Sequence, residues 1–211
     1  MLLTGAGRAF SAGQDLGDRD PRAGRAVDLG HSLETLYNPL IRLIRGLEKP
    51  VICAVNGVAA GAGANIALAC DIVLAGRSAR FIQTFARIGL VPDSGGTWSL
   101  PHLVGEARAK ALALTGEAVD ADTAAQWGMI WRAVDDGALE AEAMSLAIRL
   151  AAGPTKGLGL TKRAIQAAAT NSLDSQLDLE RELQRAAGNT ADYAEGVAAF
   201  LDKRKPEFHG R

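Results

Sequence analysis

A single carboxylate, Asp93, sits in the stretch Leu90-Val91-Pro92-Asp93-Ser94-Gly95-Gly96, between a Val-Pro step and two glycines. A carboxyl in such a place can take a proton from one carbon and return it to another, as a general base and acid. The same residue types also build surface turns, because proline pre-sets φ and aspartate accepts from the amides that follow it. On this stretch alone both readings stand. Two segments rich in small residues offer complementary chemistry, "FSAGQD" at 10–15 and "NGVAAGAGAN" at 56–65. Small residues let backbone approach a ligand, and a following helix aims its first amides and the positive end of its dipole outward. Two such amides converging on one point would form an oxyanion hole, which stabilises charge developing on a carbonyl oxygen. Either segment is equally compatible with an ordinary glycine-rich turn. Neither carries the GxGxxG of a dinucleotide site or the GxxxxGK[ST] of a P-loop.

The remaining reactive residue types carry less. His31, His102 and His209 are scattered, with no serine or cysteine nucleophile motif beside them, and read as surface or structural. Cys53 in "VICAV" and Cys70 in "ALACDIV" read as reduced core residues. Neither a disulfide framework nor a zinc spacing is present, and no metal is expected. Asp15 in "AGQDL" reads as a turn cap, and Trp98, Trp127 and Trp131 as core, Trp98 being near enough to Asp93 to line a pocket. Arg8 and Arg22 could meet phosphates or simply solvate a loop. The basic tail Lys203-Arg204-Lys205 could be a solvated end or a set of phosphate contacts at a subunit interface.

These residues need elements to hold them. "MLLTG" reads as the end of a buried strand, followed by a loop rich in Gly, Asp and Arg. Apolar residues at helical spacing, Leu33, Leu36, Tyr37, Leu40, Ile41, Ile44 and Leu47, predict a helix over 31–47, with Pro39 forcing a kink or a late start. "KPVICAVNG" predicts a buried strand bounded by Pro50 and Gly57. A glycine loop and helix follow, then the strand "IVLAG"; "ARFIQTFARIG" is ambiguous. Helices are predicted over 106–115, in "DADTAAQWG" with Asp120 or Asp122 as cap and Gly128 as stop, over 138–152, and in the region 155–201. Strands alternating with helices, then helices alone, predict an α/β body at 1–140 and a helical part at 141–211.

The totals fit such a body. The chain has 211 residues, 48% of them hydrophobic, enough for a substantial core. Its 23 basic and 24 acidic residues leave a net charge of −1, so no global attraction for nucleic acid or anionic membrane exists. No stretch has the length of a membrane span and the start lacks a signal-peptide pattern, so a cytoplasmic location is expected.

Four separated stretches, "LTGAGRAFSAGQDL", "KPVICAVNGVAAGAGANIALACDIVLAGRSARF", "GLVPDSGGTWSLPHLVGEARAKALALTGEAVDADTAAQWGMI" and "AFLDKRKPEF", resemble the enoyl-CoA hydratase/isomerase (crotonase) superfamily. They agree in order and spacing from residue 2 to residue 208. Within it, "HSLETLYNPLIRLI", "NGVAAGAGANIALACDIV", "LVPDSGGTW" and the closing "NSLDSQLDLERELQRAAGNTADYAEGVAAFL" are most similar to isomerising members that act on a ring epoxide. The resemblance implies an α/β fold, a crotonase-like spiral of ββα units with a C-terminal helical trimerisation region. It implies assembly as a homotrimer or a dimer of trimers. It also implies strands, a helix and an "NRP" segment upstream of Met1, so the N-terminal strands of the spiral are expected to be missing. The implied substrate is an acyl-CoA thioester, with coenzyme A part of the substrate and no separate cofactor.

By motif position the resemblance assigns the oxyanion amides to Gln14 and Ala62. It assigns coenzyme A binding to Ala12, Gly13 and Gly61, and to Lys203 in the tail of a neighbouring subunit. Hydratases of the family carry two glutamates that act on water, and their positions here hold Asn65 and Phe85. Neither can exchange a proton with substrate. Asp93 is then the carboxylate left facing the acyl chain, and the resemblance makes it the acid/base of an isomerase. Two other expectations stay open: another crotonase-type reaction such as hydration or thioester hydrolysis, and a catalytically weak partner of a related enoyl-CoA hydratase.

Overall fold

The computed structural model describes residues 1–17, 20, 22 and 28–211. The described residues fall into two compact units. One comprises Leu2–Arg45 and Val51–Ala143; the other comprises Met1, Gly46–Pro50 and Met144–Arg211.

The first unit is built on two four-stranded sheets. One has strand order β1-β3-β5-β8, from Leu2–Thr4 (β1), Ile52–Val55 (β3), Ile72–Gly76 (β5) and Arg132–Val134 (β8). The other has order β2-β4-β6-β7, from Ala9–Ser11 (β2), Val58–Ala60 (β4), Arg80–Ile82 (β6) and Ala118–Asp120 (β7). Along the chain, successive strands alternate between the sheets until β6 and β7 pair antiparallel. Every other pairing is parallel. This is the spiral: each turn lays one strand in each sheet and crosses back through a helix.

β3 explains why the run "VICAV" is continuously apolar. It lies between β1 and β5, with Ile52 opposite Leu2 and Ile72, and all four of its residues are buried. Parallel strands covered on both faces read as unbroken hydrophobic runs. Burying Ile52, Val55 and Leu74 stabilises the unit by roughly 1.5–3 kcal/mol each. The strand expected at "MLLTG" is present, but Leu2 and Leu3 are only partly buried and Thr4 is exposed. Among the described residues β1 pairs with β3 alone, at the edge of its sheet.

The helix expected over 31–47 runs as Leu29–Ser32 (α1), a π-helical turn at Leu33–Tyr37, and Asn38–Gly46 (α2). The disturbance predicted from Pro39 is this wider turn: proline has no N–H, and Asn38 N–H reaches back to Leu33 O instead. Ala62–Ala69 (α3) is buried on nearly every side, so only small residues fit it. The ambiguous "ARFIQTFARIG" resolves into β6 and a 3-10 turn at Thr84–Ile88. Gly96–Val104 (α4), which sequence reading left without a helix, is followed by Glu106–Thr115 (α5). Ala121–Gln126 (α6) is capped as expected: Asp120 Oδ1 accepts from Thr123 N–H over 2.8 Å. Short strands β2, β4, β7 and β8, three residues each, escaped the sequence reading because periodicity needs more residues to register.

Leu139–Ala151 (α7) continues into the second unit, which adds Thr155–Ala168 (α8), Leu173–Gly188 (α9) and Ala191–Leu201 (α10). Its C-terminal tail folds back on α10. Arg204 makes two hydrogen bonds to Glu195, at 2.6 and 2.9 Å, and the amides of His209 and Gly210 donate to the buried Asp192 carboxylate. No helix among the described residues is long and apolar enough to cross a membrane.

Candidate active site

Asp93 opens a four-residue turn closed by Gly96 N–H donating to Asp93 O over 2.8 Å. Both central residues have positive φ, Ser94 at 51° and Gly95 at 78°, the mirror-image form of the common turn. Glycine takes this conformation freely, whereas a serine there costs roughly 1–2 kcal/mol. Ser94 is buried, and its Oγ–H donates to Asp93 Oδ1 over 2.9 Å. Asp93 itself is half-buried. Asp93 is thus a turn residue, and the turn leaves its carboxyl half-exposed.

Behind the turn lies a chain of side-chain amides. Asn65, on the first turn of α3, is fully buried, and its Nδ2–H donates to Asp93 O over 2.8 Å. Its Oδ1 accepts from Gln83 Nε2–H, also over 2.8 Å. Gln83 Oε1 is buried and meets no donor among the described residues. Gly96 has no side chain because Asn65 occupies the space: a Cβ there would stand 2.3 Å from Asn65 Nδ2.

The two small-residue segments lie side by side. A Cβ on Gly13 would come within 3.0 Å of Ala60 O and 3.8 Å of Ala62 N. A Cβ on Gly63 would come within 2.4 Å of Ser11 Cβ, and Ser11 Oγ accepts from Gly13 N–H over 3.2 Å. Small residues here are a packing requirement. Gly61 caps α3 at φ 52° and ψ −127°, a conformation closed to other residues. Ala62 is the first residue of α3, so its amide has no intrahelical acceptor and shares the positive end of the helix dipole. Gln14 is half-buried, and the Tyr37 hydroxyl donates to its Oε1. The arrangement brings Gly13-Gln14 beside Gly61-Ala62. The ring of buried Phe85 lies 3.8 Å from where a Gly61 Cβ would be.

The enoyl-CoA hydratase/isomerase family model matches residues 1–211. The chain belongs to the enoyl-CoA hydratase/isomerase family. It is 61% identical over 213 aligned residues to 1,2-epoxyphenylacetyl-CoA isomerase of Escherichia coli K12, across all of this chain and 81% of that protein. It is 35% identical to trans-2-decenoyl-[acyl-carrier-protein] isomerase of Streptococcus mutans, again across all of this chain and 81% of that protein. The crystal structure of an enoyl-CoA hydratase from Polaromonas sp. JS666 superposes with a TM-score of 0.92 at 37% identity, covering 99% of this chain and 81% of that one.

In this enoyl-CoA hydratase/isomerase family member the other expected residues are distributed as follows. Ala12 is exposed beside half-buried Gly13. Lys203 is exposed, just past α10 in the second unit, with φ 54°. Its neighbour Arg204 is engaged by Glu195 within the chain. Asp15 accepts from Gly17 N–H, a turn role as expected. Arg22 pairs with Asp20. Cys53 and Cys70 are buried and free, and the hydrogen bond between them, with burial, pushes the Cys53 thiol up. Among the described residues no group of three or more His, Cys, Asp or Glu could hold a metal.

The tryptophans correct an expectation. Trp98 and Trp131 are exposed and Trp127 is only half-buried. Each is covered by a guanidinium instead of core: Arg45 lies 4.5 Å over Trp98, Arg108 lies 4.8 Å over Trp127 and Arg132 lies 4.3 Å over Trp131. Trp98 does line a cavity of about 200 Å³ next to the Asp93 turn, with Ile41, Arg45, Ala69, Ser94 and Gly95. Burial holds the half-buried Arg45 below its usual range, opposed by the charge of Asp71.

Sequence reading missed Gln83 and Ser94. It noted Asn65 only for what it is not. A buried amide on a small-residue helix is a visible signal, but its partners lie 18 and 28 positions away along the chain.

Proposed function

We propose that this chain is an acyl-CoA isomerase whose preferred substrate is ring 1,2-epoxyphenylacetyl-CoA, converted to oxepin-CoA, and which also shifts the double bond of linear enoyl-CoA thioesters. The observation that carries the reading is the Asp93 turn: a half-exposed carboxyl that accepts from the Ser94 hydroxyl, on a main chain held by the non-titrating amide of Asn65. In the double-bond shift, the Asp93 carboxylate removes a proton from the carbon next to the thioester. The electron pair moves onto the carbonyl oxygen, where the amides of Gln14 and Ala62 hold the enolate. Asp93 then returns the same proton two carbons further along, so atoms and charge balance without water.

Coenzyme A is bound as part of the substrate, by Ala12, Gly13 and Gly61, with Lys203 reaching it from the tail of a neighbouring subunit. Exposed apolar side chains in the second unit, among them Leu173, Phe200 and Leu201, support assembly as a homotrimer or dimer of trimers. A cytoplasmic location and association with a related enoyl-CoA hydratase belong to the same reading.

The test is product analysis with a 3-enoyl-CoA and with the ring epoxide, wild type beside Asp93→Asn. Conversion of 3-enoyl to 2-enoyl thioester without hydrated product, lost in the variant, supports the reading. Hydrated product that survives the substitution overturns it.

A further inference from the structure

The Asp93 turn is strained and does not hold itself. Ser94 adopts φ 51° without being glycine. Residues in such conformations persist only where the surroundings over-determine them, and they cluster at functional sites. The Asp93 carbonyl receives two donors. Gly96 N–H belongs to the turn; Asn65 Nδ2 comes from α3, across the fold.

Asn65 can make this bond in one orientation only. Its amide has a donor end and an acceptor end. The Asp93 carbonyl can only accept, so Nδ2 faces it and Oδ1 faces Gln83, whose Nε2–H donates to Oδ1 and holds the amide in that orientation. Both amides are buried, Asn65 at 0% and Gln83 at 3% exposure, so water does not compete for the bonds. Gly96 completes the arrangement, because any side chain there would displace Asn65.

We infer that Asn65 is a positioning residue for Asp93, and that Gln83 holds it in place. The amide clamps the main chain at the Asp93 carbonyl and so fixes where the carboxyl points. This rests on the reading of Asp93 as the acid/base. The Asp93 side chain thus leaves a backbone held from behind by a buried amide.

The test compares Asn65→Asp, Gln83→Met and Asp93→Asn with wild type, reading kcat and KM on a 3-enoyl-CoA and deuterium exchange of the amides in residues 90–97. Asn65→Asp keeps the shape but sets an oxygen against the Asp93 carbonyl. It is expected to lower kcat by about 10- to 100-fold while KM moves less than about threefold, the pattern of a lost transition-state interaction. Exchange should quicken at Gly96 and its neighbours and nowhere else. Gln83→Met, which removes the donor that holds Asn65 Oδ1, should have the same signature at a smaller size, about a two- to fivefold loss of kcat. Unchanged kcat and exchange in Asn65→Asp, with Asp93→Asn inactive, overturn the inference and leave the acid/base reading intact. Full activity in Asp93→Asn overturns the acid/base reading, and with it the catalytic meaning of the clamp. Should Asn65→Asp fail to fold, Gly96→Ala attacks the same bond from the other side, its Cβ falling 2.3 Å from Asn65 Nδ2. Wild-type kcat and exchange in that variant would likewise overturn the inference.

Discussion

The hydroxyl of Ser94 donates to Asp93 Oδ1 over 2.9 Å while the Ser94 backbone sits at φ 51°. One residue thus supports the carboxyl with its side chain and strains the turn with its main chain. The two effects separate by substitution. Ser94→Ala and Ser94→Gly both lose the hydroxyl, but only alanine keeps the strain. Ser94→Gly is expected to be more stable than Ser94→Ala by about 1 kcal/mol, measured by urea unfolding. Equal stabilities would mean that the turn relaxes at no cost.

The closeness of Gly63 to Ser11 predicts a sharp intolerance. A Cβ at Gly63 would stand 2.4 Å from both Ser11 Cβ and Oγ, and Ser11 Oγ holds Gly13 N–H. Gly63→Ala is expected to cost about 1–3 kcal/mol by overpacking and to lower activity by moving the Gly13-Gln14 backbone. Gly137→Ala is the control, since nothing lies within 4 Å of its added Cβ. Thermal unfolding and a single assay decide between them; equal behaviour of the two variants would contradict the packing argument.

Glu195 gives a pH dependence. The Arg204 guanidinium, then the Glu207 amide, hold its carboxyl down at about 2, against 4.5 for a free one. A depressed carboxylate stabilises the folded form above the free value, and that contribution is lost as pH falls through the folded one. The tail should therefore loosen between about pH 4.5 and 2, seen as faster amide exchange in residues 204–210. Glu195→Gln should bring the same loosening to neutral pH, with quicker tryptic cleavage after Lys203 and Arg204. A tail indifferent to both changes would show that the ion pair does not hold it.

Cys53 and Cys70 should resist thiol reagents in the native protein. Both are buried, and the Cys53 thiol is pushed up by Cys70 and by burial, so little thiolate forms. Labelling with a chromogenic disulfide is expected to follow global unfolding, and to speed up in denaturant. Rapid stoichiometric labelling of folded protein would contradict the burial.

Sequence and tertiary structure contributed different things. The run Val51–Val55, the helix at 106–115 and the cap at Asp120 were legible because each is local: a buried parallel strand is continuously apolar, and a cap lies three residues from the amide it holds. The residue types at the site, Asp93 and the small residues around Gly13 and Gly61, were legible for the same reason. The three-residue strands β2, β4, β7 and β8 were not, because their position is set by pairing with distant strands and not by their own pattern. Nor could sequence show what holds the main chain at Asp93. That depended on Asn65, 28 positions away, and on Gln83, which α3 and the second sheet bring behind the turn. A hydrogen bond between residues far apart in the chain leaves no periodic trace, so only the folded arrangement decides what the carboxylate can do.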